Sequence, residues 1–164
     1  MKPAAALLLA SLALAALLPG CALVSREQPG TPRDEVLARL GPPTATFPLP
    51  SGGQRLLYSE LPAGFAAYDL DFDAEGRLVR NEQVLTQTRF ETIPLGVWTL
   101  ADVQRTFGPP LRVERVARFD GDIWTYRFRQ NSDPRLAHVH LDLQGVVRLV
   151  LFTDEQPDFD DTRN

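Results

Sequence analysis

The sequence predicts an α+β protein of two tandem repeats, each a short helix followed by three to four antiparallel β-strands with the helix packed on one sheet face. Three observations predict it. A helix-like end followed by Gly-Pro-Pro occurs twice, in "LARLGPP" from Leu37 and "QRTFGPP" from Gln104, 67 residues apart. Stretches that alternate apolar and polar residues follow each copy. A turn of the form Asp-x-x-Gly also occurs twice, in "DAEG" from Asp73 and "DLQG" from Asp142, at an offset of 69.

Residues 1–20 read as an export leader. Met1 and Lys2 give a positive start, and Ala4 to Leu18 is a 15-residue run of Ala, Leu and one Ser. That length suits a signal-peptide core and is short for a membrane span. The run ends in "LLPGC", Leu17 to Cys21, which resembles the lipobox of bacterial lipoproteins. Cys21 is the single cysteine, so no internal disulfide competes for it. The resemblance implies cleavage before Cys21, acylation of Cys21 and, with Ala rather than Asp at position 22, sorting to the outer membrane. Several acyl chains would make such an anchor effectively permanent, at about 0.8 kcal/mol per buried CH₂. Residues 21–30 then read as a lipidated tether.

The chain from Cys21 has 144 residues, enough for one sizeable core. Loss of Lys2 leaves 16 basic against 21 acidic residues, a net charge of −5. Five of those acids lie in residues 154–164, "DEQPDFDDTRN", which read as a disordered, solvating tail. A nearly neutral body excludes bulk electrostatic binding of nucleic acid.

The first repeat spans residues 31–85. Thr31 and Asp34 have capping-box spacing, Pro32 suits a first helical position, and Val36, Leu37 and Leu40 make a short apolar stripe. Gly41 suits the left-handed residue that ends the helix, and Pro42 blocks its continuation. Residues 86–98 join the repeats. The second repeat, 99–153, reuses the logic with Thr99, Asp102, Val103, Phe107, Gly108 and Pro109. "DIWTYRFR" places Trp124, Tyr126 and Phe128 on one face and Thr125, Arg127 and Arg129 on the other. "LAHVHLDL" sets Val139, Leu141 and Leu143 against His138, His140 and Asp142. Helices of about two turns are unstable alone, so each must pack on its sheet.

With these residues in view, "GTPRDEVLARLGPP" and "TLADVQRTFGPP" resemble the helix motif of the SmpA/OmlA/BamE lipoprotein family. The same unit in tandem is similar to the β-lactamase inhibitor protein architecture. The first resemblance implies a protein-binding or scaffold role in outer-membrane assembly or envelope maintenance. The second implies a binder that inhibits an enzyme, through an exposed sheet.

Chemistry is sparse. "DLDFDAEG", Asp69 to Gly76, departs from a calcium loop at Ala74 and Arg80, and its alternating acids read as the solvent face of a strand. His138, His140 and Asp142 share a strand face that zinc would accept, although they are also ordinary residues for a wet face. No nucleophile motif or phosphate loop is present, so an enzyme ranks third among the readings. No cofactor, metal or small-molecule substrate is expected. The expected partners are the membrane, through Cys21, and an envelope protein. Candidate partner-binding residues are Arg127, Arg129, His138 and His140, with Thr125, Arg112 and Arg118 nearby. Arg is favoured at interfaces. A solvated face of an antiparallel sheet explains the same set without any partner.

Overall fold

The computed structural model describes residues 24–156. In chain order the elements are α1 (Arg33–Leu40), β1 (Ala45–Pro48), β2 (Gln54–Ser59), β3 (Ala67–Phe72), β4 (Leu78–Gln83), α2 (Gln87–Glu91), α3 (Leu100–Phe107), β5 (Arg112–Val116), β6 (Phe119–Gln130), β7 (Asp133–Asp142) and β8 (Val147–Asp154). The strands form two four-stranded antiparallel sheets, ordered β1-β2-β3-β4 and β5-β6-β7-β8. The chain is therefore α+β. Among the described residues, no helix is long and apolar enough to cross a membrane. Cys21 and residues 157–164 lie outside the described residues.

Both α1 and α3 are eight residues long and stop at a glycine with positive φ, 76° at Gly41 and 74° at Gly108. That conformation suits glycine because no Cβ opposes it. Each glycine carbonyl accepts a tyrosine hydroxyl at 3.0 Å, Tyr58 to Gly41 and Tyr126 to Gly108. The starts differ. At α3 the backbone N–H and hydroxyl of Thr99 donate to Asp102 Oδ2 at 2.9 and 2.7 Å, a capping-box arrangement. At α1 the expected Thr31–Asp34 box does not form. Pro32 occupies the cap position, and the Thr31 hydroxyl donates to the Gln28 carbonyl. The first free N–H of α1, at Arg33, instead reaches the Gly76 carbonyl at 2.9 Å, so an acidic side chain is not needed there.

Val36 of α1 is buried with Leu56, Leu70, Phe72 and Leu78 of the first sheet. Leu56 and Tyr58 point to that side, and Leu57 points to the other. A Cβ on Gly108 would sit 2.8 Å from Leu57 Cδ2, which places the end of α3 against the opposite face of the first sheet. Val103 and Phe107 of α3 share a second buried cluster with Trp124, Tyr126, Phe128, Val139 and Leu141. The layers therefore run α1, first sheet, α3 with α2, second sheet.

Three further expectations are corrected. Residues 86–98 are more than a connection, because they hold α2, capped by Thr86, whose hydroxyl accepts the Arg89 N–H at 3.2 Å. Phe90 of α2 stacks on Phe107 at 4.3 Å between ring centroids, inside a cluster that also takes Ala67, Val84 and Leu85. The two halves thus share one core. The segment before α1 is also docked rather than loose. Val24 is 3% exposed. Asn81 Nδ2 donates to the carbonyls of Val24 and Glu27, at 2.8 and 3.2 Å. Glu27 is itself buried and receives two bonds from Arg39, at 3.0 and 2.6 Å. The acidic tail likewise starts later than expected. Asp154 closes β8, and Glu155 is ion-paired.

Candidate functional site

The face of the second sheet that points away from α3 is built in register rows. Arg112, Thr125, His138 and Leu151 form one row, and Glu114, Ile123, His140 and Leu149 the next. Arg127, Leu136 and Thr153 form a third. Period-two alternation sends these side chains outward while Trp124, Tyr126, Val139 and Val150 turn to the core. Ile123 and Leu136 are buried under their neighbours, but Leu149 and Leu151 are 40% and 46% exposed. The face is therefore mixed, with an apolar patch beside the histidines rather than a uniformly polar surface.

All four sequence-predicted side chains of this region lie on that face. His138 Nδ1 is 3.0 Å from the Thr125 hydroxyl, and Nε2 is 2.9 Å from the Thr153 hydroxyl. Burial, then the nearby Arg112 and His140, hold its pKa below the usual histidine value. That shift favours the neutral ring, and both nitrogens are occupied by threonines. Phe119 meets the His140 ring edge-on at 5.0 Å, and burial lowers its pKa as well. Among the described residues, no group of three or more His, Cys, Asp or Glu side chains is arranged to hold a metal ion.

The two arginines already have partners within the chain. Arg127 is ion-paired with Glu155 and donates to the Pro62 carbonyl at 3.3 Å. The Phe65 ring lies under both guanidiniums, 4.9 Å from Arg127 and 4.1 Å from Arg129. Arg129 also donates to the Ser132 carbonyl at 2.7 Å. They anchor the loop between β2 and β3 against the second sheet. Arg112 pairs with Glu114, and Arg118 is exposed beyond the end of β5.

The equivalent outward face of the first sheet is covered, and sequence reasoning missed what it carries. Asp69 and Asp71 are buried, not solvent-facing. Arg55 makes paired bonds to Asp71 at 2.6 and 2.9 Å, and its Nη1 lies 2.7 Å from Asp69 Oδ2. Arg80 also bonds Asp71, and Glu82 bonds Arg80 in turn. Burial raises the Asp69 carboxyl to about 7, and neither of its oxygens receives a well-directed hydrogen bond. Burial also acts against ionised Asp71, but the Arg55 bonds win and hold its pKa below the usual range. A signal existed in the turn at Asp73–Gly76, which fixes β4 against β3 and sets Arg80 opposite Asp71.

No protein-family model matches the chain, and no curated protein matches it. Among solved structures it is similar to a DUF4309-family protein (YjgB) from Bacillus subtilis subsp. subtilis str. 168. The identity is 18% over 76% of this chain and 79% of that one, with a TM-score of 0.33. It is also similar to an extracellular protein containing an SCP domain from Bacillus anthracis str. Ames. There the identity is 11% over 79% of this chain and 50% of that one, with a TM-score of 0.29. Neither likeness is close enough to bring a function to this chain.

Proposed function

We propose that this protein is a lipid-anchored, periplasm-facing module that binds another envelope protein at the outer membrane, and that it is built from two copies of one α+β unit. The observation that carries the binding role is the open face of the second sheet. Its counterpart on the first sheet is covered by α3, whereas Leu149 and Leu151 stand exposed beside His138 and His140. Exposed leucines ringed by polar groups mark a surface that gains from burial.

Matching bonds at matching offsets support the duplicated unit. Arg33 N–H reaches the Gly76 carbonyl and Leu100 N–H the Gly145 carbonyl, at 2.9 and 2.7 Å. The Tyr–Gly bonds at both helix stops repeat as well. Each sheet has a register shift at the same place, between Asp71 and Phe72 and between His140 and Leu141. The apolar leader ending at Cys21 supports the anchor.

Leu149→Lys with Leu151→Lys tests the face. Both residues are already exposed, so the double variant is expected to keep the wild-type urea midpoint while crosslinked partner recovered from intact envelopes falls about tenfold, the effect of losing roughly 1.4 kcal/mol. Unchanged capture by a normally folded variant would refute the binding role. Cys21→Ser tests the anchor and is expected to abolish lipid labelling and release the protein from membranes.

A further inference from the structure

We propose that the anchored protein stands on the membrane in one orientation, with the end around Val24 against lipid and the open face of the second sheet turned to the aqueous side. The proposal rests on the reading of Cys21 as the lipidated residue. What it adds is which surface each neighbour meets.

The chain is fixed to the body from Val24 onward. That residue is 3% exposed, and its carbonyl accepts Asn81 Nδ2 at 2.8 Å. Only Ala22 and Leu23 separate it from Cys21. Three peptide steps reach at most about 11 Å. A lipid on Cys21 therefore holds the surface beside Val24 close to the bilayer.

That surface suits a bilayer headgroup region. Val24 lines a cavity of about 160 Å³ with Leu40, Pro42, Thr44, Tyr58 and Tyr68. Glu60 is the charged residue of this lining, and its carboxylate accepts the Phe65 N–H at 3.3 Å. The Tyr58 hydroxyl stays bonded to the Gly41 carbonyl, while Pro42 is exposed and Leu40 and Tyr68 are half-buried, and a partly exposed tyrosine beside apolar residues suits the membrane interface.

The layer order fixes where the other surface points. Val24 packs in the cluster between α1 and the first sheet. Leu149 and Leu151 lie beyond the first sheet, α3 and the second sheet. Packed layers are about 10 Å apart, so the open face is roughly 20 Å past the first sheet. The tether is shorter than that stack. With Val24 docked and the body standing on its α1 side, the open face lies farther from lipid than the tether can reach.

Cys21 is the single cysteine, so once it is lipidated one introduced cysteine is a unique label site. Thr44→Cys and Leu151→Cys would each carry a bimane fluorophore. The lipidated proteins would be placed in vesicles of phosphatidylethanolamine and phosphatidylglycerol containing nitroxide-headgroup lipid. The label at position 44 is expected to lose most of its fluorescence, and the label at 151 to keep most of it. Inserting about twelve Gly and Ser residues between Leu23 and Val24 adds roughly 20 Å of reach and should erase the difference. Equal quenching at both positions without the insertion, or stronger quenching at 151, overturns the orientation. Vesicle binding of Cys21→Ser equal to that of the wild type would instead remove the anchor, and with it the basis for any fixed orientation.

Discussion

Single residues show how one chemical group takes different roles in matched places. Gly41 and Gly108 share a positive φ, so valine at either site should destabilise by about 1 kcal/mol or more. The penalty should be larger at Gly108, where a Cβ would press Leu57, than at Gly41, where nothing lies within 4 Å. Urea midpoints of the two variants test this, and equal losses would mean that Leu57 yields freely. Asp69 makes a pH-dependent case. Its carboxyl titrates near 7 when folded and near 3.9 when unfolded, so folding takes up a proton between those values. Its contribution is complete below about pH 4 and lost as pH rises through 7. Asp69→Asn, which cannot ionise, should gain stability relative to wild type between pH 4 and pH 8. A constant difference in urea titrations across that range would contradict the shifted carboxyl. Asp71 has the opposite slope, lost as pH falls through its depressed value. The acids were misread because alternation shows that two side chains share a face but not whether water or a helix covers it.

Elements were legible in proportion to their punctuation. Gly-Pro-Pro marks the end of both long helices, and the Asp-x-x-Gly turns mark the hairpins between β3 and β4 and between β7 and β8. The start of α1 misled because the Gly76 carbonyl, 43 residues away in sequence, does the work expected of Asp34. Helix α2 is five residues long and sets one phenylalanine between Arg89 and Glu91, too little for any periodic signal. Phe90 nevertheless touches Phe107, Tyr126 and Phe128. Phe90→Ala should lower stability by about 3–5 kcal/mol, as measured by urea denaturation. Tyr126→Phe should cost about 1–3 kcal/mol by leaving the buried Gly108 carbonyl unpaired. Tyr58→Phe should cost less, since its bond is only partly buried and water can replace it.

At the scale of the whole molecule, the shared cluster around Phe90 and Phe107 predicts one cooperative unfolding transition. Tryptophan fluorescence, from Trp98 and Trp124, should change together with circular dichroism; separated midpoints would mean that the halves unfold independently. The loop held by Phe65 reinforces that coupling. Arg127→Glu with Arg129→Glu would release both Phe65 and Glu155, so those arginines serve the fold as well as the face. The sequence pattern showed which strand residues point inward but could not show that α3 serves two sheets, because that depends on contacts distant along the chain. The outermost strand of the second sheet has a consequence of another kind. All five residues of β5 are exposed, and one side of its backbone faces no further strand of the sheet. Unpaired strand edges recruit other strands, and charge deters them. Arg112, Glu114 and Arg115 supply that charge, each held in an ion pair. Anchored as proposed, the molecules would be concentrated on a two-dimensional surface and meet often, and a guarded edge would let them crowd without fusing into a continuous sheet.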